Sequence, residues 1–145
     1  MKKKIVASLL ALSMMISVSA PAFAVEQMDA PKLNSNYHVM WTNTDRVNST
    51  ININSNGRAG CVGIIEAREG TTKIQATFLL KQVKSNGTGT KTVKSWTKTV
   101  SGDYLLFDGA YYVSKGYEYE FEVYANVYRD GIVENVSVSD YEYFG

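Results

Sequence analysis

Cysteine is all but missing from this chain of 145 residues: Cys61 stands alone. No intramolecular disulfide can form, so whatever folds here must be held by packing and strand pairing. The thiol sits in Ala59-Gly60-Cys61-Val62-Gly63-Ile64-Ile65, an apolar strand-like run, and reads as a small buried side chain rather than a reactive one. Histidine is as scarce. His38 is the only one, in a polar stretch, which argues against Ser-His-Asp or Cys-His catalysis. One histidine and one cysteine leave no ligand set for zinc, and no motif calls for a cofactor.

Long apolar runs are missing too, apart from one at the start. Met1-Lys2-Lys3-Lys4 is followed by an apolar stretch over residues 5–18, shorter than a membrane span requires. It ends in Ala22-Phe23-Ala24, with small residues at both positions a signal peptidase reads. Charge, apolar core and A-x-A come in the order of a secretory signal peptide over residues 1–24, which places the mature chain outside the cell. No cysteine follows the apolar run to carry a lipid. No later segment is apolar enough to span a membrane or to act as a C-terminal anchor signal.

Charge is scarce in one sign at a time. The whole chain carries 15 basic and 14 acidic residues; without Lys2, Lys3 and Lys4 the mature chain is slightly acidic, which gives no reason to expect nucleic-acid binding. Residues 73–100 contain Lys73, Lys81, Lys84, Lys91, Lys94 and Lys98 and no acid at all. Residues 101–145 carry nine acids against Lys115 and Arg129. Neighbouring strands of one sheet that attract across their faces would explain this split; a bipolar docking surface is the functional alternative.

Helical periodicity is absent as well. What is present is period-two alternation broken by turn formers. Residues 25–49 are polar and read as a loosely ordered lead-in, with residues 37–41 as an apolar patch. Strands are expected from residue 50 to the C-terminus, separated by Asn56-Gly57, Glu69-Gly70, residues 85–90, Ser101-Gly102, Asp108-Gly109, residues 114–116 and Asp130-Gly131. In residues 117–127, Tyr117, Tyr119, Phe121, Val123, Ala125 and Val127 share one face, and Glu118, Glu120, Glu122, Tyr124 and Asn126 share the solvent face. Six to eight such strands imply an all-β, antiparallel, two-sheet sandwich of immunoglobulin-like type over residues 50–145.

Chemistry-bearing groups are few. Glu118, Glu120 and Glu122 have about the separation that glycosidase carboxylates use, but a flat strand supplies no cleft. Asp103, Asp108 and Asp130 are single loop acids, too sparse for a calcium loop. Aromatic residues are more suggestive. Ten tyrosines, five phenylalanines and two tryptophans concentrate toward the C-terminal half, and exposed tyrosines suit stacking on sugars or anchoring an interface. Tyr104, Tyr111, Tyr112, Tyr124 and Tyr128 are therefore the candidate ligand-binding residues. Trp96 joins them, since Lys94 and Lys98 share its strand face. If that face looks outward it is a cation-flanked platform; if inward, Trp96 is the core tryptophan and the lysines reach past its edges.

Gly70-Thr71-Thr72-Lys73-Ile74, Trp96, Gly116-Tyr117-Glu118-Tyr119 and Asp130-Gly131 give residues 59–139 a resemblance. The stretch resembles an uncharacterised family of small secreted β-sandwich proteins from Clostridia-type Gram-positive bacteria. That resemblance implies export and fold, and brings no activity. The tyrosine-rich, disulfide-free chain ending in Tyr141-Glu142-Tyr143-Phe144 is also similar to small secreted bacteriocins of the lactococcin type. The reading that results is a secreted, non-enzymatic domain that binds a cell-envelope glycan or a protein partner. A secreted antibacterial protein is the alternative, and a carboxylate-dependent glycan hydrolase the second alternative. The export signal is testable directly: N-terminal sequencing of protein recovered from culture medium should read Val25 first, and an N-terminus still at Met1 would refute cleavage after Ala24.

Overall fold

The sequence pattern resolves into strands and turns, and no helix occurs among the described residues, 41–145, of the computed structural model. Seven strands follow in order: β1 (Thr44–Ile53), β2 (Arg58–Ala67), β3 (Thr71–Val83), β4 (Thr90–Ser101), β5 (Tyr104–Tyr112), β6 (Tyr117–Arg129) and β7 (Ile132–Phe144). All pairings are antiparallel. One sheet has the order β1-β2-β5, the other β4-β3-β6-β7. The expected all-β, antiparallel two-sheet sandwich is what forms. The export segment and most of the polar lead-in lie outside the described residues.

Each strand turns its apolar positions to the space between the sheets, because period-two side chains sort by face. From the four-stranded sheet come Ile74, Phe78, Leu80, Phe121, Val123 and Val127, all with no exposed surface; from the three-stranded sheet come Cys61, Ile65 and Leu105, likewise fully covered. The centre is aromatic. The Phe78 and Phe107 rings stack across the gap at 4.0 Å between centroids and 13° between planes, and Phe121 lies 6.2 Å from Phe107. Two glycines make room for this stack. A Cβ on Gly63 would come within 2.6 Å of Phe78 Cε1, and one on Gly109 would collide with the Phe107 ring.

Three boundaries differ from the sequence reading, each for a packing reason. β1 starts at Thr44 rather than Thr50. Its first half is too polar to show alternation, but it is anchored from outside: the Glu134 carboxylate accepts bonds from the Asn43 amide (2.9 Å) and the Thr44 hydroxyl (2.8 Å). Asp108-Gly109 is not a turn. β5 runs through it, with Gly109 opposite Cys61, because this glycine serves the Phe107 ring. β7 continues past Ser139 to Phe144, paired with the first residues of β6. The Asp130-Gly131 hairpin does form. Asp130 (φ 52°) and Gly131 (φ 74°) both lie in the left-handed region that a two-residue type I′ turn requires.

The crossover from β5 to β6 is clamped by one side chain. Tyr119, 1% exposed, donates its hydroxyl to the Ser114 carbonyl (2.9 Å) and accepts from the Ser114 amide (3.1 Å). The sequence reading placed Tyr119 in the core, and its ring is there; the clamp is what tertiary structure adds. This arrangement matches the tyrosine corner of two-sheet sandwiches.

Gly63→Ala should lower stability by about 1–3 kcal/mol, the usual cost of overpacking a filled core. Gly60→Ala is the control, since its Cβ would meet nothing nearer than 3.7 Å. Urea unfolding that showed equal midpoints for the two variants would contradict the tight Phe78–Gly63 contact.

Candidate functional site

Antiparallel register decides which tyrosines can act together, because residues opposite one another share a face. On the outer face of the four-stranded sheet the rows read Gln75–Asn126–Asn135, Thr77–Tyr124–Ser137, Leu79–Glu122–Ser139 and Lys81–Glu120–Tyr141, with Glu118–Tyr143 beyond. Tyr128 begins the series, bonded to Gln75 Oε1 at 2.6 Å and with Lys73 Nζ 3.9 Å from its ring centroid. Tyr128, Tyr124, Tyr141 and Tyr143 therefore form a strip along β6 and β7, roughly 33 Å long at about 3.3 Å per residue. Tyr124, Tyr141 and Tyr143 are 41%, 52% and 64% exposed. Amides and hydroxyls of Asn126, Asn135, Ser137 and Ser139 fill the intervals.

The middle of this face is charged and tightly knit. Lys81 Nζ lies 2.6 Å from Glu122 and 3.6 Å from Glu120, with the three side chains only 17%, 24% and 11% exposed. Ser139 donates to Glu120 at 2.7 Å and Ser137 to Glu122 at 3.1 Å. Glu120 lies on the outer face that alternation assigned to it, yet it is buried there rather than open to solvent. Tyr141, Lys81 and Ser139 cover it, while Glu118 stays exposed. Burial alone would lower the Lys81 pKa, but the bond to Glu122 and the charge of Glu120 outweigh it and leave it raised. Burial, then the Glu120 charge, likewise raises Tyr141.

The six sequence candidates do not converge. Tyr124 and Tyr128 belong to the outer strip. Tyr104 and Tyr112, 51% and 66% exposed, stand on the far side of the molecule, on the outer face of the three-stranded sheet beside Leu106. Tyr111 turns inward from β5 and, with Gln82, Val93, Tyr112, Val113, Ser114 and Tyr119, lines a shallow cleft of about 190 Å³. Trp96 faces inward and is half-buried, tilted against Phe107 at 5.3 Å, and Lys94 Nζ stands 5.8 Å from its ring. Trp96 therefore joins the two outcomes weighed in the sequence: it packs on the core, yet its edge remains open between lysines.

Tyr141 and Tyr143 are the members of the strip that the candidate set omitted. The Asp130-Gly131 turn held the signal that places them: a two-residue loop pairs Arg129 with Ile132, and counting outward puts Tyr141 opposite Glu120. Among the described residues, no three His, Cys, Asp or Glu side chains stand together as a metal would need.

No protein-family model matches the chain, and no curated relative does. Among solved structures, a β-glucuronidase of Parabacteroides merdae is similar over 66% of this chain at 14% identity and a TM-score of 0.44. This chain spans 13% of that enzyme's length. CsgH of R. palustris is similar over 64% of this chain and 91% of its own, at 13% identity and a TM-score of 0.36. Both likenesses are distant.

Alkaline pH should unfold this protein early. Burial, and after it the Asp108 charge, push the Cys61 thiol from 9.0 up to about 12. Tyr119 and Tyr141 are raised from 10.0 and Lys81 from 10.5. In each case the unfolded chain gives up its proton at lower pH than the folded one. Stability is therefore complete below pH 9.0 and falls as pH rises through the folded values. Urea midpoints should drop steadily above that pH, and Cys61→Ala should flatten the first part of the decline; a flat profile in the parent protein would refute the linkage.

Proposed function

We propose that the protein is an exported, non-enzymatic binding domain whose outer tyrosine strip takes a cell-envelope glycan. The observation that carries this reading is the alternation of exposed tyrosines with amides and hydroxyls on one sheet face. Sugar rings present apolar C–H faces that stack on aromatic rings, and equatorial hydroxyls that meet amide and hydroxyl partners. Tyr124, Tyr141 and Tyr143 offer the first, and Asn126, Asn135, Ser137 and Ser139 the second. An extended chain of several sugar units matches the length of the strip better than a compact ligand does.

The non-enzymatic part of the reading rests on the carboxylates. Glu120 and Glu122 share the Lys81 ammonium and each accept a serine hydroxyl. Carboxylates held this way brace the sheet and orient Tyr141; they do not flank an open cleft as a glycosidase pair must. A three-plus-four strand sandwich with a tyrosine clamp at the β5–β6 corner also accords with the immunoglobulin-like modules that bind through a sheet face or loop end. Export rests on the N-terminal signal described above.

The mature chain should be retained on Gram-positive cell-wall preparations and on a subset of a glycan array. Tyr124→Ala combined with Tyr143→Ala should weaken that binding by about tenfold, about 1.4 kcal/mol, with the urea midpoint unchanged. Binding that survives this double substitution, or retention by envelope proteins after the glycan is digested away, would remove the glycan strip from consideration.

A further inference from the structure

The two sheets differ in width, and the difference leaves a ledge. Four strands lie over three, and β4 is only thinly covered, by β5 alone of the opposite sheet. No residue of β4 is buried, although Lys94, Trp96, Lys98 and Val100 turn toward the interior side. Across the gap, β5 presents a free edge. Trp96 against Phe107 and the Lys98 ammonium on the Leu106 carbonyl (2.7 Å) join the two strands. The opposite flank is closed, with Asp140 bonded to the Ile51 amide at 3.0 Å and Glu134 holding the start of β1.

We propose that this ledge is a second binding surface, for an acidic polysaccharide chain. It goes beyond the outer-strip reading and does not depend on it. The floor is a line of cations and one indole. Lys91 stands opposite Gln82, on the same side as Lys94 opposite Leu80, Trp96 opposite Phe78 and Lys98 opposite Ala76. At about 3.3 Å per residue, Lys91 to Lys98 spans roughly 23 Å. Lys94 Nζ sits between two rings, 5.8 Å from Trp96 and 5.9 Å from Tyr111. Among the described residues the only lysine in an ion pair is Lys81, on the other face of the sheet.

Charge and shape together select the ligand class. The acids closest in sequence to this edge are Asp103, in the β4–β5 turn, and Asp108, on the outer side of β5. Asp108 points away from the ledge and neither acid pairs with Lys91, Lys94 or Lys98, so an anion there meets a positive field. Spaced ammonium groups suit a polymer with one negative charge per unit or two. Trp96 and Tyr111 supply ring surfaces that a sugar can stack on and that a bare phosphate chain cannot use. The 190 Å³ cleft beside Tyr111, with the Gln82 amide at its wall, ends the ledge with room for about one sugar ring.

The test compares polyanions on the mature chain, following tryptophan fluorescence and calorimetry. Polygalacturonate should bind, dextran should not, and affinity should fall about tenfold or more between about 50 and 200 mM salt. Lys91→Gln with Lys94→Gln should cost about tenfold or more in affinity at an unchanged urea midpoint, since neither side chain holds the fold. Tyr124→Ala with Tyr143→Ala should leave polygalacturonate binding intact. Equal binding of polyphosphate or single-stranded DNA would overturn the sugar assignment. Absence of binding, indifference to the lysine pair, or loss of binding in the tyrosine pair would overturn the ledge itself.

Discussion

The two sheets are built around the contact of Phe78 with Phe107. These rings come from opposite sheets and stack at 4.0 Å, which sets how close the sheets can lie. Aromatic side chains bring large buried area but demand space, and here it is made by residues with no side chain, Gly63 and Gly109. Without disulfides, this interlock together with the aliphatic residues around it is what resists unfolding. It also explains why Asp108-Gly109, a turn by composition, is strand by necessity.

The same stack organises the two flanks differently. On the β1–β7 side, polar side chains lace the sheets: Asp140 takes the Ile51 amide, Ser49 donates to the Phe121 carbonyl at 2.7 Å, and Glu134 receives the residues before β1. On the β4–β5 side the stack ends in Trp96, leaning on Phe107, and β4 is only partly covered. One edge is therefore sealed and the other is a lysine-bearing ledge. Lysines on an edge strand also discourage edge-to-edge pairing, so the residues offered for ligand binding protect the free strand as well.

The outer face of the four-stranded sheet follows a different logic, in which charge braces the surface. The acid-free lysine block and the acid-rich C-terminal segment do become neighbours, as β3 beside β6. Only Lys81 turns that proximity into ion pairs, with Glu120 and Glu122. The remaining lysines lie over Tyr128, along the ledge or near the β3–β4 hairpin. Cross-strand attraction thus accounts for one lysine, and charge segregation persists over the rest of the sheet.

The sequence by itself determined the strands with strict alternation, the Asp130-Gly131 hairpin, the burial of Cys61 and the two-sheet class, because period-two patterning and turn chemistry are local properties. It carried Tyr124 and Tyr128 to the correct face for the same reason. It could not show that Glu120 is covered, that β1 begins in polar residues, or that Tyr104, Tyr111 and Tyr112 stand apart from the outer strip. Those depend on which strands become neighbours and on how many lie in each sheet. Cover over a side chain comes from partners distant in sequence, here Tyr141 over Glu120 and Phe107 over one side of Trp96. That is why the aromatic strip and the basic ledge belong to tertiary structure, although every residue in them was visible from the start.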